Sequence, residues 1–131
     1  MKTTSIAALL VALLLITGSG VSEPQINRIQ ALSTGTAYRI STSPARANSL
    51  FIQSLPGNAA IVYVLYADEA TTCVASATTQ IVAYLGPGTA SQPGQSFTYP
   101  SSQTTDGFLV NRFCVQGTTG DSALVSYDLR N

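Results

Sequence analysis

From Gln25 onwards the chain is a succession of short apolar runs rich in β-branched and aromatic residues, cut by Gly, Pro, Asn and Ser. No stretch beyond residue 24 keeps an apolar 3.6-residue period for three turns, so helices are not expected there. Runs of this kind read as strands, and the breakers between them read as turns. The pattern places strands near 27–32, 36–41, 48–54, 59–66, 72–76, 79–85, 95–99, 107–116 and 122–129. Many short strands at regular spacing predict an all-β fold, a single antiparallel β-sandwich or jelly-roll.

Two stretches carry most of this reading. In residues 47–67, "ANSLFIQSLPGNAAIVYVLYA", two apolar runs flank Leu55-Pro56-Gly57-Asn58. Proline fixes φ and glycine accepts positive φ, so the break is a turn, expected to join two antiparallel neighbours. Leu50 and Ile52, with one face of Ile61–Tyr66, are expected at the centre of the core. The other face, Val62, Val64 and Tyr66, is apolar too, so this strand is either covered on both sides or part of a subunit contact. The second stretch, residues 107–129, reads as strand, Gly117–Asp121 turn, strand, a terminal hairpin. In its last strand Ala123, Val125, Tyr127 and Leu129 share one face, and Leu124 is the one apolar residue on the other. Residues 84–100 hold Gly86, Pro87, Gly88, Pro93 and Gly94, and read as an exposed loop between strands.

The first residues differ in kind. Lys2, an apolar run from Ile6 to Ile16 and small residues at Gly18, Gly20 and Ser22 follow the order of a secretory signal peptide. The run is shorter than the roughly 20 residues that span a bilayer. Residues 1–22 are therefore expected to be a signal peptide or a hydrophobic anchor, with the β-sandwich over 23–131; a membrane is met only through that segment, if it is retained. About 110 residues remain beyond it, enough for one modest core.

The residue inventory narrows the chemistry. Charged residues are 9% of the chain, against roughly 25% in ordinary soluble domains, and the formal net charge is zero. No basic run is present to follow a phosphate backbone, so nucleic acid is not an expected partner. There is no histidine, which removes Ser-His-Asp and Cys-His nucleophiles and the commonest metal ligand. Lys2 is the only lysine. A carboxylate pair for glycoside hydrolysis would have to come from Asp68, Glu69, Asp106, Asp121 and Asp128, all at expected loops or strand ends. Asp68-Glu69 lacks the Asp-x-Asp spacing of a cation loop, and Asp121 after Gly120 reads as completing a turn. No catalytic residue, cofactor or metal ligand is assigned. Cys73 and Cys114 are the only cysteines. In an exported chain an even pair suggests one disulfide, worth roughly 4 kcal/mol by loop entropy; in a reducing compartment the pair reads as two buried thiols. Tyr38, Tyr63, Tyr66, Tyr84, Tyr99 and Tyr127 could form a carbohydrate platform or sit half-buried in strands, and there is no tryptophan. Arg39 and Arg46 are two cations, not a basic patch.

Residues 32–67, "LSTGTAYRISTSPARANSLFIQSLPGNAAIVYVLYA", resemble small structural proteins of bacteriophages. The likeness lies in the Gly35-Thr36-Ala37-x-Arg39-Ile40 strand, the Leu50-Phe51-Ile52-Gln53 strand, the Asn58 turn and Val62-Tyr63-Val64. It extends through Pro93-Gly94, Ser96-Phe97 and a Gly-rich turn to the terminal strand, most of residues 32–129. The chain departs from that pattern at Leu65, where those proteins usually have glycine, and in its N-terminal segment and two cysteines. The resemblance implies a β-sandwich virion component of the head-decoration, fibre or spike type, on a virion surface. Its partners would be other virion or surface-lattice proteins and further copies of itself. An exported, periplasmic or extracellular, binding module, with glycans as a candidate ligand class, is the alternative.

Overall fold

Strand propensity and alternation act locally, and the strands form where the apolar runs lie. The computed structural model describes residues 25–68, 71–74, 79–100 and 107–130, and these build two antiparallel sheets. The strands are β1 (Gln25–Ala31), β2 (Ala37–Arg39), β3 (Arg46–Ser54), β4 (Val62–Tyr66), β5 (Ile81–Leu85), β6 (Ser96–Tyr99), β7 (Phe108–Leu109), β8 (Phe113–Gln116) and β9 (Ser122–Leu129). The first sheet has the order β1-β9-β3-β6, with the short β7 also on β3; the second has the order β2-β8-β4-β5. Residues 1–22, expected to stand outside the sheets, lie outside the described residues.

One core joins the two sheets. Leu50, Ile52, Ala123, Val125 and Tyr127 from the first sheet meet Val62, Val64, Leu85 and Val115 from the second. The buried residues fall at every second position of β9 and, past a bulge between Ala47 and Ser49, of β3 from Leu50 on, so each strand turns one side to this core and the other outward. Leu124, the apolar exception on the outward side of β9, stands opposite Ile29 of β1, and the two make an apolar cross-strand pair.

Four sequence expectations need correction. The turn at Pro56-Gly57-Asn58 does not join antiparallel neighbours: β3 belongs to one sheet and β4 to the other. The Gly117–Asp121 turn likewise carries the chain from β8 across to β9 in the opposite sheet, so there is no terminal hairpin. Residues 107–116 are not one strand, because a 3-10 turn at Val110–Arg112 separates β7 from β8 and shifts the chain between sheets. Residues 72–74 have no strand structure, and 75–76 lie outside the described residues. β4 needs one more correction: the face that meets Leu50 and Ile52 in the core is Val62, Val64 and Tyr66, whereas Tyr63 and Leu65 lie on the other side and Ile61 before the strand is exposed.

The two crossing turns share one chemistry. Asn58 N–H donates to the Leu55 carbonyl, and Asp121 N–H donates to the Thr118 carbonyl. Each turn has glycine third, Gly57 at φ 83° and Gly120 at φ 95°, where a Cβ would be strained. The turns then clamp each other. The Asp121 carboxylate, 5% exposed, accepts from Ala59 N–H (2.9 Å) and Ala60 N–H (3.0 Å). The Asn58 amide donates to Ser54 Oγ (2.9 Å) and the Ser122 carbonyl (2.8 Å), and accepts from Ser122 N–H (2.9 Å). Backbone groups that the sheet ladders leave unpaired at the crossings are satisfied in this way.

Candidate functional site

The outward face of the second sheet can be read from its register. One row crosses all four strands as Ala37, Gln116, Tyr63 and Tyr84; the next outward row is Arg39, Cys114, Leu65 and Ile81. The second row is roofed. Cys73, in the irregular segment 71–74, is bonded to Cys114 with Cα atoms 6.5 Å apart, closing a separation of 41 residues. Leu65, Ala67, Cys73 and Cys114 form a buried cluster of their own, with Ala37, Tyr63 and Ile81 packed against it. The Arg39 guanidinium donates to the carbonyls of Thr71 and Asn111, which holds the roof down. This second cluster explains why β4 is apolar on both faces: it is covered on one side by the first sheet and on the other by the disulfide segment.

The first row is open. Tyr63 and Tyr84 meet edge to face, with ring centroids 5.5 Å apart and planes at 72°. Tyr84 is 59% exposed and Tyr63 is half-buried. Together with Thr34, Ile81, Gln116 and Thr118 they line a groove of about 470 Å³. Its rim is fixed by a reciprocal pair: Thr34 N–H donates to Thr119 Oγ1 (3.0 Å), and Thr119 N–H donates to Thr34 Oγ1 (3.1 Å). That pair ties the turn after β1 to the turn before β9. Among the described residues, none that lines the groove carries a charge.

The other tyrosines are elsewhere. Tyr127 and Tyr66 belong to the inner core, and Tyr38 packs against it. Tyr99 stands in an aromatic cluster with Phe97, Phe108 and Phe113. A second, smaller concavity of about 270 Å³ lies beside that cluster, lined among others by Arg46, Tyr66 and Arg112. The six tyrosines do not share a platform; Tyr63 and Tyr84 share one through the β4–β5 register, which no local sequence signal reveals.

The carboxylates are not gathered either. Asp68 is exposed after β4, and Glu69 and Asp106 lie outside the described residues. Asp121 precedes β9, whereas Asp128 near its far end accepts from Ser49 Oγ at 2.8 Å. About 20 Å of strand separates those two, well beyond a carboxylate pair flanking one glycosidic bond. Among the described residues, no group of three or more His, Cys, Asp or Glu could hold a metal ion. Comparison with protein-family models, with curated proteins and with solved structures returns no match.

Proposed function

We propose that this chain is a non-enzymatic structural module of the jelly-roll type, acting through contacts with neighbouring subunits in a virion surface or a comparable lattice. The observation that carries the reading is the strand order. Taking β1–β6, β8 and β9 as the eight main strands, β1-β9-β3-β6 facing β2-β8-β4-β5 is a two-sheet arrangement in which every connection between successive strands crosses from one sheet to the other except β4–β5, which pair within the second sheet. Double-sheet jelly rolls recur in viral capsid proteins, an inference by fold analogy. The phage-like strand and turn pattern over residues 32–129 supports the same reading. So does the surface chemistry, with few charges and abundant Ser and Thr, which suits neutral hydrogen-bonding contacts.

Among the described residues β5 is an edge strand of the second sheet, and its outer edge is the natural place for a second copy to pair. Ile81–Leu85 holds no charge and no proline, and Val82 on it is 50% exposed. Strand edges that avoid pairing usually carry such residues. Sedimentation of the purified full chain tests the reading. Self-association is expected, and Val82→Lys is expected to shift the population towards monomer. A chain that stays monomeric at every concentration would overturn the lattice reading. It would favour the second one, an exported module that works alone, for which the Cys73–Cys114 bond is the supporting observation.

A further inference from the structure

We infer that the open groove on the second sheet is a binding site for a neutral carbohydrate. The inference goes beyond the structural reading and does not need it, because the groove uses a sheet face and not the backbone edge of β5. Three features point to this ligand class. First, Tyr63 and Tyr84 stand at 72° to each other, so their rings make a corner with an apolar floor and an apolar wall. A pyranose ring presents apolar C–H faces and a polar hydroxyl edge, which such a corner matches: rings to the faces, polar groups to the rim.

Second, the polar groups around the corner are neutral. Thr34 and Thr118 bring two hydroxyls beside the buried Gln116, and among the described residues none that lines the groove is charged. A phosphate, a carboxylate or a cationic peptide would lose its hydration there without gaining a counter-charge. Sugar hydroxyls, which both donate and accept, lose less. The basic residues Arg46 and Arg112 line the other concavity.

Third, the groove is held in shape before any ligand arrives. Its rim turns are tied by the Thr34–Thr119 pair, and its floor is the hydrogen-bonded β8–β4–β5 ladder. Tyr63 is steadied from the roofed side, where it packs against the cluster around Cys114. Preorganisation of this sort reduces the ordering entropy that weak ligands must overcome. The volume of about 470 Å³ falls within the range of small-ligand sites.

The test is an NMR titration of the purified full chain with labelled tyrosine rings. The probes are lactose, maltotriose, cellotriose, chitotriose and mannotriose at millimolar concentration, with sialyllactose as the charged counterpart. At least one neutral sugar is expected to move the Tyr63 and Tyr84 ring signals saturably. Tyr84→Ala should then weaken binding by about tenfold or more, and Tyr84→Phe should keep most of it, since stacking needs the ring and not the hydroxyl. Tyr84 is exposed, so both variants should fold, as the unchanged signals of core residues will report. The inference is overturned if no sugar moves those rings, if binding survives Tyr84→Ala, or if sialyllactose binds better than lactose. It is also overturned if Tyr84→Ala changes the sedimentation of the chain, because the face would then be a subunit contact.

Discussion

Asp121 carries more of the fold than its place after a glycine suggests. It completes its own turn, and its buried carboxylate receives two amides from the crossing turn at Ala59-Ala60. Replacing it with alanine leaves both amides without their acceptor. Asp121→Ala removes two part-buried hydrogen bonds to a charged acceptor and should cost about 1–3 kcal/mol in all, read as a lower denaturant midpoint. Ile52 is fully buried between the sheets, opposite Val125 and Phe97 in its own sheet. Ile52→Ala should cost about 2–5 kcal/mol, from lost transfer energy and the cavity left behind. Val64→Asp is a harsher test. It places an unpaired carboxylate in the centre of the core, so loss of folding by circular dichroism is expected. A folded Val64→Asp chain would contradict the inward placement of that residue.

Among elements, the disulfide segment has the clearest energetic role, since it closes a separation of 41 residues and roofs half of one sheet face. Replacing both cysteines with serine should lower stability by about 2–5 kcal/mol in thermal unfolding. Because Tyr63 packs against that roof, the same variant should also loosen the groove and broaden the Tyr63 ring signals. Strand positions were legible in the sequence because alternation is local: β3, β4 and β9 fall where their apolar residues repeat. Sheet membership was not legible. Pro56-Gly57-Asn58 and Gly117–Asp121 have the residues of tight turns, and a tight turn serves a hairpin and a crossing between sheets equally well. What separates the two is the non-local pairing of Asn58 with Ser122 and of Asp121 with Ala59 and Ala60. The break at Val110–Arg112 was hidden for a related reason, since "FLVNRFCV" alternates well enough for one strand and only the demands of two sheets divide it. The disulfide partners were legible because no other cysteine competes. The tyrosine corner was not, because Tyr63 and Tyr84 are joined by a long connection whose register the sequence leaves open.

At the scale of the whole molecule, the low charge shapes how copies meet. With 9% charged residues and no net charge, association has little long-range electrostatic component. The sedimentation of the chain should change little between low and near-molar sodium chloride; a strong salt dependence would point to ionic contacts instead. The strand order has one more consequence, for the time course of folding. β9, the last strand described, is the partner of both β1, the first, and β3. Neither β1 nor the inner edge of β3 can complete its ladder before Ser122–Leu129 has left the ribosome. The first sheet therefore cannot assemble until β9 is available, and closing such distant pairs is slow, on the order of milliseconds to seconds. Shortening the chain ahead of Ser122 removes the strand that both β1 and β3 need, and should leave a product that proteases digest rapidly.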